Sequence, residues 1–278
     1  MEMKKNVISF INMKGGVGKT TLCVNLAYCL AKRFNKKILL IDLDPQFNAT
    51  QYLVDQETYL RNIYEKGQTI YTIMKSNSPV ADMLTGQAKP EKVDRLEYNI
   101  CENLDLIAGD LNMLYLDGPT GGLDDRPYRL LNYINENGLR ESYDYIFIDC
   151  PPTQSIYTLT AFNASDYYIM PVKPDFLSTL GVDLFQRTVQ QYNKNAPKKI
   201  EPLGIVFTLV QHYKHPERKM KEIREKYRFN TFENTLKYSI KVPETAEQGK
   251  MIYDMTDTEL SDLREGIVKL AEEFLNKF

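Results

Sequence analysis

The chain has 278 residues, of which 43% are hydrophobic and 26% are charged. This composition is ordinary for a globular protein, and the apolar content excludes a chain that is mainly disordered. Lysine and arginine total 35 against 37 aspartate and glutamate residues, which gives a formal net charge of −2. A globally basic nucleic-acid binder is therefore excluded, whereas a local basic patch is not.

The sequence contains no run of about eighteen or more apolar residues, so no segment is predicted to span a membrane. The basic N-terminus precedes an apolar run, residues 7–11, that is too short for the core of a signal peptide. With two histidines and no C-x-x-C pair, neither a zinc site nor a disulfide framework is expected. We predict buried, inert thiols in a cytoplasmic protein at four positions: Cys23, Cys29, Cys101 and Cys150.

Apolar runs without polar alternation predict strands that are buried on both faces of a parallel sheet. In chain order they are residues 7–11, 38–43, 104–107, 145–148, 167–172 and 203–209. Residues 20–34 have an apolar side chain at every fourth position, which predicts the first helix. We expect helices and loops over the polar stretch 52–99 and a loop over 117–125. This order predicts the α/β class: one domain, 1–278, with a doubly wound, mostly parallel sheet flanked by helices.

Ligands of such folds bind at the carboxyl ends of the strands, which here are residues 12–21, 42–46, 149–152 and 171–175. The first of these contains Lys14-Gly15-Gly16-Val17-Gly18-Lys19-Thr20-Thr21. It supplies the end of the phosphate-loop pattern G-x-x-x-x-G-K-[ST], between a predicted strand and a predicted helix. Glycines let backbone N–H groups surround phosphate oxygens, and the helix N-terminus adds partial positive charge. We predict that Lys19 binds the β- and γ-phosphates, that Thr20 coordinates Mg²⁺ and that Thr21 contacts the α-phosphate.

The stretch K-G-G-V-G-K-T-T resembles the deviant Walker A motif of the ParA/MinD ATPases. Three further segments resemble motifs of that family: IDLDPQFNAT at 41–50, LIAGDL at 106–111 and YDYIFIDCPP at 143–152. The resemblance covers most of the chain and implies a P-loop NTPase fold of the deviant Walker A type. It also implies ATP and Mg²⁺ as ligands, with weak hydrolysis of ATP to ADP and phosphate that a partner and DNA stimulate.

Lys14 lies too early in the loop to bind the same phosphates as Lys19 in the same site. An extra cation at a γ-phosphate can come from another subunit, although a solvated lysine at a strand end is the alternative. The resemblance implies that Lys14 is the family's signature lysine, which crosses a nucleotide-sandwich dimer to the partner's phosphates. Lys14 and Lys19 are therefore candidate catalytic residues.

Three aspartates lie at or next to the ends of predicted strands, and each could instead cap a helix or a turn. At the end of an apolar strand, Asp149 can hold Mg²⁺ through water, together with Thr20. Asp44 is predicted to orient the attacking water and to contribute to the metal site. Asp42 is predicted to support either the waters bound to Mg²⁺ or the loop. Phe47 departs from the resemblance, because the family commonly has glycine there, and a bulky side chain is expected to alter the switch loop.

The adenine pocket is the part of the site where the resemblance is weakest. The family's adenine-contacting proline falls on Lys237 and its asparagine on Ser239, and Thr208 ends the preceding strand. These three residues complete the predicted ATP-binding set. The preference for ATP is implied by the resemblance alone.

A basic cluster at residues 214–228 contains seven lysines and arginines against three glutamates. It is either a solvated helix with i,i+4 ion pairs or a surface for DNA phosphates. The family's DNA-contacting arginine falls on Lys241, and a second falls near Lys214. The predicted DNA-binding residues are Lys214, Arg218 and Lys241.

The chain begins almost at the first strand, so the resemblance is to the short, ParA/Soj-type partition ATPases that lack an N-terminal helix-turn-helix. This implies an ATP-dependent homodimer that binds DNA non-specifically, on the nucleoid, and is released when a ParB-like centromere-binding partner stimulates hydrolysis. Plasmid or chromosome segregation is the expected function.

The main alternative is a MinD-like ATPase whose last helix, 261–278, binds membranes. The glutamates of that helix disfavour an anionic membrane, so we expect it to pack on the core without stable membrane association. A cluster-carrying reductase does not fit the spacing of Cys101 and Cys150, and a tyrosine kinase does not fit the dispersed tyrosines. A binding module without activity is the least favoured alternative.

Overall fold

Seven strands form one sheet in the computed structural model, which describes residues 4–75, 93, 95–116, 125–211, 214–227, 231–256 and 260–278. The strands are β1 (Val7–Phe10), β2 (Ile38–Asp42), β3 (Tyr98–Cys101), β4 (Leu104–Ile107), β5 (Tyr145–Asp149), β6 (Tyr167–Val172) and β7 (Glu201–Phe207). Their order across the sheet is β3-β4-β2-β5-β1-β6-β7. All neighbouring strands are parallel except β3 and β4, which form an antiparallel edge.

The helices follow the strands in alternation for most of the chain. They are α1 (Lys19–Phe34), α2 (Asn48–Leu53), α3 (Gln56–Thr58), α4 (Ile70–Met74), α5 (Arg126–Glu136), α6 (Leu139–Ser142), α7 (Ile156–Ala164), α8 (Ser178–Asn195), α9 (Lys214–Lys226), α10 (Lys241–Glu247) and α11 (Ser261–Leu275). A π-helical turn, Tyr59–Tyr64, continues α3, and short 3₁₀ helices occupy Leu111–Leu116 and Ile252–Asp254.

Two hydrophobic clusters cover the two faces of the sheet. Successive strand residues point to opposite faces, so Ile8 and Phe10 join the cluster beneath α1 and α11, whereas Val7 packs on the other side with α5, α7 and α8. Every residue of β1 and β2 is buried. A parallel strand that is covered on both faces needs such an uninterrupted apolar sequence.

The register of the central strands brings the predicted site segments to one edge. Phe10 at the end of β1 and Asp42 at the end of β2 both pair with Asp149 at the end of β5. Because these strands are parallel, the segments that follow β1 and β2 leave the sheet beside Asp149. The doubly wound α/β fold is thus confirmed, and its topology positions the site.

The predicted elements differ from the structure at one strand and at several ends. Residues 98–101 form β3, although helices and loops were expected as far as residue 99 and no strand was predicted at 100–101. An edge strand that is half exposed lacks the apolar run of a buried one. The last predicted strand, 203–209, runs from Glu201 to Phe207 instead. The predicted loop at 117–125 and much of the 52–99 stretch lie outside the described residues.

The apolar face of α11 is packed on the sheet. Leu263, Ile267, Leu270 and Phe274 are buried, and the Phe274 ring lies 4.9 Å from that of Tyr145. The expectation that the last helix packs on the core is confirmed, and its apolar side chains are engaged within the chain. Among the described residues, no helix is both long and apolar enough to cross a bilayer.

Candidate active site

The segment between β1 and α1 forms an open loop at the start of a helix. Gly16 and Gly18 adopt φ values of 68° and 76°, in the left-handed region that glycine enters without steric cost. Gly18 precedes α1 with no side chain capping the helix, and the first turn has no acidic residue. The first N–H groups of α1 therefore face the loop without a side-chain cap, which is the arrangement that binds phosphate.

Lys19, the first residue of α1, places a buried ammonium group behind this loop. Its Nζ donates to the Lys14 carbonyl oxygen at 3.4 Å. Burial lowers the pKa of Lys19, while the neighbouring Asp149 and Asp44 carboxylates oppose that effect. An anion between the loop and Lys19 would provide the strong partner that this desolvated cation lacks.

Asp149 carries a carboxylate that its surroundings satisfy only in part. Its Oδ2 accepts a hydrogen bond of 2.6 Å from Thr20 Oγ1, and its buried Oδ1 has no hydrogen-bond partner among the residues that the structure describes. Burial, and then the nearby Asp42 carboxylate, raise its pKa well above the usual range. A divalent cation would remove the cost of this buried charge, and Thr20 and Asp149 supply the hard oxygen atoms that Mg²⁺ prefers.

The rest of a magnesium coordination sphere would come from phosphate and water. In the described part of the chain, no group of three His, Cys, Asp or Glu side chains is placed to hold a metal. Magnesium at nucleotide sites commonly uses one or two protein ligands, so Thr20 and Asp149 fit that pattern. The four cysteines are free thiols, of which Cys101 is partly exposed.

Asp42 and Asp44 have different surroundings although they are two residues apart. The buried Asp42 Oδ2 accepts 2.8 Å hydrogen bonds from both Thr50 N and Thr50 Oγ1, so it supports the start of α2. Burial raises the pKa of Asp42 to about 7. Asp44 lines the cavity next to the phosphate loop, and its Oδ1 accepts a 2.9 Å hydrogen bond from Gln46 N.

A cavity of about 580 Å³ extends from the phosphate loop. Residues 15–21 and Asp44 supply the part of its lining that we call the phosphate end. The segment after β7 supplies the part that we call the far wall, which includes Lys237, Tyr238, Ser239 and Pro243. Lys237 Nζ forms a 2.6 Å ion pair with Asp262, and Ser239 Oγ accepts a hydrogen bond from Lys241 N at 3.2 Å. The structure therefore brings Lys237 and Ser239 to the cavity with the phosphate loop.

Thr208 has a different position from the one expected for an adenine contact. Its buried hydroxyl donates to the Val17 carbonyl oxygen at 2.5 Å and thereby ties β7 to the phosphate loop. The following residue, Leu209, lines the cavity and has a φ of 52°. Leu209, Tyr238 and Pro243 were not predicted as site residues, because no local pattern shows that segments after β7 return to the phosphate loop.

Lys14 is held outside the lining of this cavity. Its Nζ forms an ion pair with Asp175 Oδ2, in the loop between β6 and α8, and each side chain is about one third exposed. Partial burial raises the pKa of Asp175, but hydrogen bonds from Lys14 and Ser178 outweigh burial and hold this pKa below its usual value. Phe176 is 79% exposed beside this pair, and Leu177 is also exposed.

The predicted DNA-binding residues lie on two helices. Arg218 on α9 is exposed and forms no ion pair with a described residue, whereas its neighbours Lys219 and Lys226 pair with Glu222 and Asp183. Lys241 begins α10 and is half-buried. The side chain of Lys214 and all of Arg228 lie outside the described residues. Part of the basic cluster is thus a solvated helix with ion pairs, as its alternative interpretation predicted.

The fold and the phosphate loop together define a P-loop nucleotide-binding protein. The sequence model of a family described as AAA domain matches residues 5–202. The chromosome partitioning protein ParA of Caulobacter vibrioides is 27% identical over 274 residues, which cover 98% of this chain and 94% of the relative.

Solved structures agree with these sequence comparisons. A plasmid partition protein from Borrelia burgdorferi is 25% identical, with a TM-score of 0.72 over 99% of this chain and 100% of its own. Another structure from this organism, bound to AMPPNP, is 25% identical with a TM-score of 0.70 over the same shares of both chains. This chain therefore belongs to the AAA-domain family and is a ParA-type P-loop ATPase.

Proposed function

We propose that the chain is a DNA-partition ATPase whose ATP-bound homodimer binds DNA without sequence specificity and is released after hydrolysis. The observation that carries this proposal is the position of Lys14. This lysine belongs to the phosphate loop, yet its ammonium group pairs with Asp175, is about one third exposed and does not line the cavity of its own chain. A cation in that position can serve the phosphates of a facing subunit.

Within one protomer, the phosphate loop and Lys19 bind the triphosphate, and Thr21 contacts the α-phosphate. Thr20 and Asp149 would hold Mg²⁺, which would neutralise charge on the phosphate oxygens. Asp44 lines the same end of the cavity and orients the attacking water. Lys14 of the opposing protomer completes the set by stabilising the charge that develops on the transferred group.

The surroundings of Lys14 support a protein contact there. Phe176 and Leu177 follow Asp175 directly, and Leu180 lies one turn further along α8; all three are exposed. Exposed apolar side chains around a charged pair are typical of a surface that a partner covers. Dimer closure on ATP would replace the Lys14–Asp175 pair with contacts from Lys14 to phosphate oxygens.

The dimer would join basic residues of two chains into one DNA surface that includes Lys214, Arg218 and Lys241. Contacts to phosphates are independent of sequence, and doubling them converts weak binding, of order 10⁻⁴ M, into much tighter binding. A ParB-like, centromere-bound partner would stimulate hydrolysis and release the protein. We therefore propose that it acts in the cytoplasm, on the nucleoid when ATP is bound.

The test is co-sedimentation with DNA in ATP, ADP or no nucleotide, paired with the molecular mass in solution. The wild-type chain should form dimers and bind DNA only with ATP. Asp44→Ala should hold the ATP dimer on DNA, because the attacking water is no longer oriented. Lys14→Ala should bind ATP but remain monomeric, and dimers of normal stability in this variant would exclude the cross-subunit role.

The same experiment separates the DNA surface from the dimer. Lys214→Glu with Lys241→Glu should abolish DNA binding and leave ATP-dependent dimers intact. A variant that still binds DNA would place the DNA surface elsewhere on the molecule. Binding to anionic vesicles in ATP, without binding to DNA, would favour the membrane ATPase instead.

A further inference from the structure

Phe47 has a backbone conformation that is unfavourable for a residue with a large side chain. Its φ of 43° and ψ of 39° lie in the left-handed region. Of the four non-glycine residues with positive φ among the described residues, two are asparagines, which tolerate this region best. A phenylalanine remains there only when its surroundings hold it, so the contacts of its ring indicate what the conformation serves.

The Phe47 ring stacks on Tyr59, with ring centroids 5.2 Å apart and an interplanar angle of 20°. Tyr59 is buried, and its hydroxyl donates to the Gly109 carbonyl oxygen at 3.1 Å. Gly109 completes the arrangement because a Cβ atom there would lie 2.5 Å from Phe47 Cβ. We call these three residues, Phe47, Tyr59 and Gly109, the aromatic clamp.

The aromatic clamp is connected by hydrogen bonds to both Asp44 and Asp42. On one side, Phe47 N donates to the Asp44 carbonyl oxygen at 2.8 Å, which closes the turn that carries the Asp44 carboxylate. On the other side, Gly109 N donates to Thr50 Oγ1 at 2.8 Å, and that hydroxyl donates to Asp42. The turn from Asp44 to Phe47 is therefore fixed between two networks that both include Gly109.

We propose that the aromatic clamp is a positioning device that holds Asp44 at the phosphate end of the cavity and so sets the rate of ATP hydrolysis. Phe47 does not line the cavity, so it acts through the turn and not by contact with nucleotide. This inference rests on the proposed ATPase role of Asp44 but not on dimer formation or DNA. It assigns a function to Phe47, where the family commonly has glycine, and to Gly109.

Phe47→Gly tests the proposal, because glycine keeps the left-handed backbone and removes the ring. We expect kcat for ATP hydrolysis to fall about tenfold, while the affinity for a fluorescent ATP analogue changes less than about twofold. Phe47→Tyr, which retains an aromatic ring at this position, should have the kcat of the wild-type chain. A matched control is Asn103→Gly, which replaces another residue with positive φ, in the turn between β3 and β4, and should leave kcat unchanged.

A double-mutant cycle shows whether Phe47 and Gly109 act through their contact. Gly109→Ala adds a Cβ atom 2.5 Å from Phe47 Cβ and 3.1 Å from the Asp42 carboxyl group. We expect Gly109→Ala to cause a large loss of kcat in the wild-type background. The loss should be several-fold smaller in the Phe47→Gly background, because the contact with Phe47 Cβ no longer exists there. An equal loss in both backgrounds would contradict coupling through this contact.

Hydrogen exchange gives a readout that is independent of turnover. The amides of Gln46 and residue 47 should exchange faster in Phe47→Gly than in the wild-type chain, at equal thermal stability. Unchanged exchange, or an unchanged kcat, would overturn the clamp. If the wild-type chain hydrolyses ATP but never dimerises or binds DNA, the partition proposal fails while the clamp stands.

Discussion

The two ends of the nucleotide cavity are built in different ways. The phosphate end is lined by residues 15–21 and Asp44. Thr20 contacts Asp149, whose buried Oδ1 has no hydrogen-bond partner among the described residues. The far wall comes from residues 236–247, where Lys237 already has an ion-pair partner and Ser239 accepts a backbone hydrogen bond. The phosphate end thus has a buried polar atom that a ligand could pair with, whereas these two polar side chains of the far wall already have partners within the chain.

This difference indicates where the binding energy for a nucleotide resides. A buried charge without a partner costs stability that a ligand can restore, whereas an exposed ion pair contributes little. Substitutions at the phosphate end should therefore have large effects on both stability and activity, and those on the far wall should have small ones.

Asp149→Asn should have the largest effect and should act in opposite directions on activity and on stability. We expect hydrolysis to fall by about a thousandfold, because the carboxylate that holds Mg²⁺ is lost. Without nucleotide and metal, the variant should be more stable than the wild-type chain, since a buried charge with an unpaired Oδ1 is removed. The measurements are turnover and thermal melting with and without Mg²⁺ and ATP.

The pH dependence of this gain follows from the direction of the Asp149 pKa. Burial raises the pKa of the folded state above the unfolded value, so both states are protonated at low pH and the carboxyl group then costs nothing. As the pH rises above the pKa of Asp149 in the unfolded state, the free energy of unfolding of the wild-type chain progressively falls. The stability advantage of Asp149→Asn should therefore grow with pH, and a constant advantage would contradict the assignment.

The same contrast explains how much could be predicted from sequence. The phosphate loop is a contiguous motif, and Asp42, Asp44 and Asp149 follow apolar runs whose parallel pairing places them at one edge. Local pattern and one topological rule are enough for that end of the cavity. The far wall depends on the pairing of Val210 with Lys237, which no periodicity shows.

Long-range contacts account for the other features that the sequence left hidden. The Lys14–Asp175 ion pair joins residues 161 positions apart, although the carboxyl end of β6 was among the segments expected to border the site. Phe47 was recognised as a departure, but its contact with Gly109 depends on two loops meeting in the fold. In both cases tertiary packing determines the partner, and the local sequence does not.

Asp175→Asn should have an intermediate effect, at the border of the phosphate end. The substitution removes the charge that holds Lys14 within its own chain. If Lys14 serves a facing subunit, its release should lower the ATP concentration that gives half-maximal dimer by about two- to fivefold. Sedimentation over an ATP titration measures this shift. The control is Asp183→Asn, on the helix that follows Asp175, where the carboxylate pairs with Lys226 instead. A higher ATP requirement would show that Asp175 supports the dimer.

Lys237→Met should have the smallest effect, although Lys237 lines the cavity and falls where the family has an adenine contact. Its ion pair with Asp262 is partly exposed, at 34% and 63% of the two side chains, and such pairs contribute about 0–1 kcal/mol. We expect thermal stability to change no more than in Lys269→Met, which breaks an exposed ion pair on α11. The affinity for an ATP analogue should fall less than about threefold, since the methionine stem still covers the cavity wall. Calorimetric titration of an ATP analogue into Lys237→Met and into Lys19→Ala measures the two losses of affinity. Comparable losses would mean that the far wall carries as much binding energy as the phosphate end.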